Sequence, residues 1–340
     1  MKAVVQDRYG SPDDLEFREH ARPVPGDDAV LVRVQAASLH PDVWHVVTGQ
    51  PYVLRLMGSG FARPRNPIPG TDMAGIVESV GRNVTRFGPG DPVFGETVMV
   101  QQWSNGGTFA EYVSAHQDLL ARKPDHVTFE QAASVPSSGI IVLQNLRGLT
   151  RWQPGRKVLV NGAGGGVGTL ALQMMKAHGA HVTVVDSKSK LKMLRSLGAD
   201  EVVDYRQEDF TERGVRYDLI FDIPVNRPFS ACRRALKTDG RYVPIGHGGF
   251  GASGKRILGL LPHFVKLMAL SRFVKQLRGP ALPVPTKKEA MALLGKFLED
   301  GTITPMIDST FPLSQFRQAF RRMMEDETRG KVILTVPGFS

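Results

Sequence analysis

Residues 161–186 read NGAGGGVGTLALQMMKAHGAHVTVVD, and this stretch decides the fold. The segment KVLVN before the turn (157–161) is a short apolar run. TLALQMMKAHG (169–179) places apolar residues at helical spacing, and HVTVVD (181–186) is a second apolar run. Strand, glycine turn, helix and strand in that order make the opening unit of a dinucleotide-binding sheet. Ala163, Gly165 and Gly168 stand at the three glycine positions of the G-x-G-x-x-G pattern, with Ala in the first. Residues this small permit a tight turn, let the backbone approach a pyrophosphate, and let helix pack closely on strand. Ala163, Gly164, Gly165, Gly166, Val167 and Gly168 are therefore the candidate phosphate-binding turn, where a helix start presents unpaired N–H groups and partial positive charge.

Asp186 closes the second strand, 18 residues beyond Gly168. A carboxylate there can accept both ribose hydroxyls of NAD and repels the 2′-phosphate of NADP. Yet Ser187, Lys188 and Lys190 follow at once, and such groups can bind that phosphate. The two signals oppose each other.

Downstream, KLKMLRSLG, EVVDY, DLIFDI, SACRRALKTDG and RYVPIG keep alternating helix and strand as far as residue 248. Continuous apolar strands alternating with amphipathic helices predict a parallel sheet covered on both faces, and right-handed crossovers make it doubly wound. Upstream, residues 1–123 are rich in Gly, Pro and β-branched residues, with alternating runs such as AVLVRVQAASL (29–39) that read as half-buried strands. A Gly- and Pro-flanked insert (249–285) follows the alternating region. Then come the helix KKEAMALLGKFLEDG and a closing strand–helix–strand, STFPLSQFRQAFRRMMEDETRGKVILTV. That last piece is expected to return to the first domain. The α/β chain thus divides into 1–123 with 302–340 as a β-rich domain, and 124–301 as the doubly wound domain carrying the insert.

The 340 residues fit two domains. A single cysteine, Cys232, excludes an intramolecular disulfide and any four-cysteine zinc site. Its apolar setting, FSACRRAL, predicts a buried helical position. The N-terminal MKAVVQDRYG has no apolar signal core and no run of 18 uncharged apolar residues occurs, so a cytoplasmic protein is expected. The net charge of +10 and pI near 9.8 raise the possibility of nucleic acid, membrane or an anionic ligand. The charge is localised. From Arg241 to Lys288 there is no Asp or Glu but there are nine Lys and Arg, and the other 34 cations nearly balance the 33 acids. With no basic run interleaved with aromatics, no nucleic-acid partner is expected. Within the insert, KRILGLLPHFVKLMALSRFVKQLRG (255–279) has apolar residues at helical spacing from Leu260 to Met268 and on through Phe273, Val274 and Leu277, with Pro262 permitting a helix start. The favoured reading is a lid or subunit-contact helix over the cleft. The other is a basic amphipathic helix lying on an anionic membrane.

The chain resembles the medium-chain dehydrogenase/reductase superfamily along essentially its whole length, most closely the zinc-independent quinone oxidoreductase branch. The matching motifs are MKAVVQDRYGSPDDLEF, IPGTDMAGIVESVGRNVTRFGPGDPVFG, GGTFAEYV, VTFEQAASVPSSG, the glycine turn, LRSLGADEVVDY and RGKVIL. The resemblance implies a GroES-like catalytic domain, a Rossmann cofactor domain, a cleft between them and a homodimer. It places Lys190 and Tyr205 beside the adenosine ribose or its phosphate, Gly246 under the nicotinamide and Lys331 near a cofactor phosphate, with NADP(H) slightly ahead of NAD(H). In the superfamily's zinc alcohol dehydrogenases a Cys occupies the position of His40 and a His-Glu pair the positions of Thr71 and Asp72. Here only His40 could ligate, and a catalytic zinc needs three protein ligands, so no metal is expected. His40 also departs from the Asn usual in the quinone oxidoreductase branch.

Without a Lewis acid, a quinone or an α,β-unsaturated carbonyl is the accessible acceptor, because it delocalises the arriving charge onto its own oxygen. The expected activity is NAD(P)H-dependent reduction of such a small molecule. Tyr52 is the first candidate for the polar role, since a phenol donates a hydrogen bond and keeps its proton at neutral pH, followed by His40 and His45. The alternatives are an alcohol or aldehyde oxidoreductase of the same superfamily, and a non-catalytic cofactor-binding protein of crystallin or RNA-binding type.

Overall fold

The computed structural model describes residues 1–99, 103–146, 154–246, 256–279, 282–325 and 327–336. Five parallel strands form one sheet in the order Glu201–Asp204, His181–Asp186, Lys157–Asn161, Tyr217–Asp222, Leu236–Pro244. From Lys157–Asn161 the chain winds outward through two strands, then crosses to Tyr217–Asp222 and winds the other way. The strand order therefore reverses beside Asn161, where a doubly wound sheet opens a crevice at its carboxyl ends.

The second sheet is built around the 11-residue strand Ala29–Leu39, which is long enough to pair with three partners. Asp72–Val80, Tyr112–His116 and Lys331–Thr335 all run antiparallel to it. Ile307–Pro312 lies parallel to Lys331–Thr335, so the closing strand–helix–strand segment joins the N-terminal sheet. One apolar core runs from one sheet to the other. It joins Ala36, Phe94 and Ile333 of the second sheet to Val158, Leu170 and Leu294 of the doubly wound part.

Two predicted helices are shorter in the structure. SACRRALKTDG is helical only over Phe229–Arg234. Leu236 then pairs beside Tyr217 as the first residue of a strand, because its side chain fills the core under that sheet edge. In the insert, the helix runs only from Leu261 to Leu270 and starts with Pro262 in its first turn as predicted. Phe273, Val274 and Leu277 are not on it. The Arg278 guanidinium donates to the Ser271 and Arg272 carbonyls and folds the chain back across the helix end. Residues 249–255 and 280–281 of the insert lie outside the described residues. Cys232 is fully buried, and burial pushes its thiol up to about 12, which keeps it protonated and inert. Among the described residues no helix is long and apolar enough to cross a membrane.

Candidate functional site

A cavity of about 540 Å³ opens at the carboxyl ends of Lys157–Asn161 and Tyr217–Asp222. The glycine turn forms one end. Gly165 caps the Gly166–Ala177 helix, and Gly165, Gly166, Val167 and Gly168 line the cavity. A Cβ on Gly168 would meet the Cα of Ala163 and the Gly162 carbonyl at 2.5 Å each, which is the close helix–strand approach the sequence pattern requires. A Cβ on Gly165 would meet nothing within 4 Å, so the backbone there is open to a ligand. Ala163 is buried behind the turn, and Gly164 is engaged through its backbone.

Asp186 is tied into this turn. Its Oδ2 accepts from the Gly164 N–H at 2.6 Å, its Oδ1 accepts from the Ser187 N–H at 2.8 Å, and Lys190 Nζ stands 3.4 Å from Oδ1. Asp186, Lys190 and Tyr205 line the cavity. Ser187 lies just outside the lining, where its hydroxyl and that of Ser189 donate to Glu327 Oε2, and Arg206 reaches Glu327 Oε1 at 3.4 Å. A carboxylate from the C-terminal segment therefore sits on donors of the nucleotide domain. Gly330 N–H donates to the Gly164 carbonyl at 2.8 Å, so the same segment presses on the glycine turn itself.

His40, His45 and Trp103 also line the cavity. His40 is the N-cap of the Pro41–Thr48 helix. Its Nδ1 lies 3.3 Å from the Asp42 backbone N–H and 3.3 Å from Asp42 Oδ2. As an N-cap acceptor, Nδ1 leaves the ring proton on Nε2, and an imidazolium carries one there as well, so His40 offers an Nε2–H donor. His45 is the opposite tautomer. Its Nδ1 contacts the Gln50 carbonyl at 2.7 Å and must carry the proton, while burial lowers its pKa and keeps the ring neutral. Trp44 and Trp103 pack edge-on against it. Gly246, at φ +82°, closes the floor with Ile223 and Pro224. The neighbouring Val225 takes φ +51°, unusual for a β-branched residue. Asp222, which also accepts from Asn161 and Tyr242, holds its N–H at 3.1 Å.

Tyr52 is not in this group. Its backbone N–H donates to the Arg256 carbonyl and the Arg55 guanidinium lies 4.7 Å from its ring, which holds it half-exposed at the surface, off the cavity lining. Sequence reasoning also passed over a buried charged layer beneath the cavity. Asp72 is fully buried and accepts from Ser38, Thr71 and Ser137 hydroxyls and the Ser137 N–H, with Lys331 Nζ at 3.7 Å. Lys331 is buried too and lines the cavity. Burial pushes its ammonium pKa down while Asp72 opposes the shift. Next to them Glu96 pairs with Lys287 at 2.9 Å, yet burial pushes its carboxyl up to about 7. The clue available in the sequence was the polar pair Thr71 and Asp72 at the start of the strand Asp72–Val80.

Those side chains do not fit zinc. Thr71 donates to Asp72, Asp72 is consumed by four donors and an ammonium, and among the described residues no three His, Cys, Asp or Glu converge. They do fit a nicotinamide dinucleotide, since the open backbone at Gly165, the helix start behind it and the cationic Lys190 and Lys331 line one continuous cavity.

Residues 26–125 match the family described as alcohol dehydrogenase GroES-like domain, and residues 197–334 match the one described as zinc-binding dehydrogenase. The chain is 31% identical over 346 residues to the chloroplast envelope quinone oxidoreductase homolog of Arabidopsis thaliana, covering 98% of each. It is 30% identical to the chloroplastic NADPH-dependent alkenal/one oxidoreductase of the same plant, covering 98% of this chain and 79% of the other. The solved structure of the quinone oxidoreductase from Coxiella burnetii superposes with a TM-score of 0.78 at 26% identity, over 99% of both chains. A GroES-like sheet joined to a Rossmann sheet across a nucleotide cleft defines an oxidoreductase acting on a small molecule with a nicotinamide cofactor. The chain belongs to the medium-chain dehydrogenase/reductase superfamily, in its quinone oxidoreductase-like branch.

Proposed function

We propose that this enzyme reduces a quinone or an α,β-unsaturated carbonyl, with no zinc in the reaction. The observation that carries the reading is one cavity lined by both the open glycine turn and His40, with no metal-ligand set among the described residues. A bound NAD(P)H supplies the hydride, that is, two electrons and a proton nucleus. Gly165–Gly168 and Lys331 hold the phosphates, and Gly246 bounds the site of the reacting ring. The His40 Nε2–H stabilises negative charge as it develops on the acceptor oxygen. Solvent then delivers the one proton that, together with the hydride, completes either a hydroquinone or a saturated ketone. His45, neutral and with its Nδ1 proton given to the Gln50 carbonyl, shapes the pocket with Trp103.

NADP(H) is the favoured cofactor. Ser187, Ser189, Lys190 and Arg206 supply hydroxyl and cationic donors at the adenosine end, and Asp186 is committed to the glycine turn. Glu327 opposes that preference by lying on the same donors. Glu327→Gln is expected to lower the KM for NADPH about tenfold while leaving NADH nearly unchanged, since an anion then meets free donors instead of a carboxylate. The test is oxidation of NADPH and NADH, side by side, against quinones, enones and simple aldehydes, with and without a chelator. Turnover confined to aldehydes, or abolished by the chelator, would overturn the proposal.

A further inference from the structure

Ten of the sixteen large apolar side chains exposed among the described residues fall in two short segments, 52–61 and 257–273. The two segments touch. Tyr52 N–H donates to the Arg256 carbonyl at 2.7 Å, Val53 N–H donates to the Ile257 carbonyl at 3.0 Å, and Gly259 backs onto Pro51. The two segments therefore adjoin rather than standing as separate loops.

The Leu261–Leu270 helix explains why this surface is apolar. One side is committed inward: Leu267 is buried in the core with Tyr217 and Tyr242, and Phe264 abuts Gly246 at the cavity floor. The other side presents Leu261, Val265 and Met268, spaced i, i+4 and i+7, to solvent. Phe273, just past the helix end, is 84% exposed, and the adjoining segment exposes Phe61, at 79%, with Leu56 and Met57. A helix with apolar residues on both sides has one partner and lacks the other.

The charges identify that partner. Arg256, Lys266, Arg272, Lys275 and Arg278 decorate the same 23 residues (256–278), and among the described residues none of them pairs with a carboxylate. No acid occurs anywhere from 241 to 288. A second copy of the chain is a poor occupant, because a two-fold interface sets the same cations against themselves. An acidic apolar surface satisfies both features at once. We propose that this face docks on an anionic membrane surface, with the Leu261, Val265, Met268 stripe and Phe273 entering the headgroup boundary and the cations meeting lipid phosphates. The inner side of the same helix packs Phe264 against Gly246, which lines the cavity, so docking sets the reaction site near the bilayer. Resting on the function proposed above, this selects the lipid-soluble members of its acceptor class.

Cosedimentation with vesicles tests the docking. The protein is expected to bind vesicles containing phosphatidylglycerol at least tenfold more strongly than vesicles of phosphatidylcholine alone, and to be released by high salt. Met268→Glu with Phe273→Glu, both at exposed positions, should reduce binding at least tenfold while leaving reduction of a water-soluble quinone unchanged and slowing reduction of a long-tailed quinone embedded in the vesicles. Absence of vesicle binding, or binding that the double variant leaves intact, overturns the proposal. So does sedimentation showing a dimer that this variant converts to monomer, since the face would then be an interface between copies. Failure to reduce either quinone would count against the enzymatic reading alone, because vesicle binding is measured without turnover.

Discussion

Asp72→Ala is expected to destabilise the protein by about 3–5 kcal/mol, among the largest losses any single polar substitution in this chain should produce. The substitution removes one carboxylate but orphans several groups. The Ser38, Thr71 and Ser137 hydroxyls and the Ser137 N–H lose their acceptor, and the buried Lys331 ammonium loses its nearest counter-charge. An uncompensated buried charge costs far more than a surface ion pair is worth. Asp42 and Glu96 also act on Lys331, which keeps the loss from the upper end of that range. Asp72→Asn should fall between, because an amide still accepts from the hydroxyls but no longer offsets the ammonium. Combining it with Lys331→Met should recover part of the loss, since no buried charge then remains without a partner, although cofactor affinity should fall. The measurement is the thermal midpoint and urea midpoint of the four proteins. A change below about 1 kcal/mol for Asp72→Ala would show that the layer is hydrated and carries no buried charge.

Legibility from the sequence followed periodicity. The glycine turn, the two strands around it and the helix after it were readable because Gly168 must be small for the helix to pack on Ala163, a constraint that leaves a mark at a single position. The return of the closing segment to the N-terminal sheet was readable in kind, as a β-rich piece after a helix, though not its pairing with Ala29–Leu39. The insert helix was overextended because Phe273, Val274 and Leu277 continue the apolar spacing, whereas Arg278, bonding back to the Ser271 and Arg272 carbonyls, folds the chain over the helix end. No periodic pattern records such a contact. Nor does any local pattern bring Glu327 to Ser187 across 140 residues, or Lys287 to Glu96 across 191, since both are consequences of how the two sheets face each other.

The site residues sort by the same logic. Tyr52 was attractive for its chemistry, but its position is set by neighbours. Its backbone pairs with Arg256 and its ring rests against Arg55, so a phenol suited to the task stands away from the cavity. Asp186 was read from its place at the strand end. The structure adds that its two oxygens are engaged by Gly164 and Ser187, so it shapes the turn before it meets any ribose.

His40→Ala is expected to lower kcat for an enone about 100-fold while leaving the cofactor dissociation constant within a factor of two. The size follows from what one well-placed donor to a developing oxyanion contributes, about 2.7 kcal/mol, in a site where no metal-ligand set occurs among the described residues to share the task. The selectivity for kcat follows from contacts, because the hydrogen bond and the ion pair of the His40 ring both go to Asp42 rather than to the glycine turn. A structural role must be separated from this one, since His40 also caps the Pro41–Thr48 helix and losing a cap costs about 1 kcal/mol of stability. His40→Asn makes the separation. Asn is among the best N-cap residues and its amide still offers an N–H, so it should restore the cap and retain turnover within about tenfold of the parent. His40→Ser keeps a cap but its hydroxyl cannot reach as far as Nε2, and its turnover should stay near that of His40→Ala. If Asn and Ser behave alike and both are as active as the parent, His40 serves the helix and not the reaction. If Asn alone recovers turnover, the donor is the function, and the histidine standing where zinc-dependent relatives carry a metal ligand supplies by hydrogen bonding the charge stabilisation that the metal supplies in those relatives.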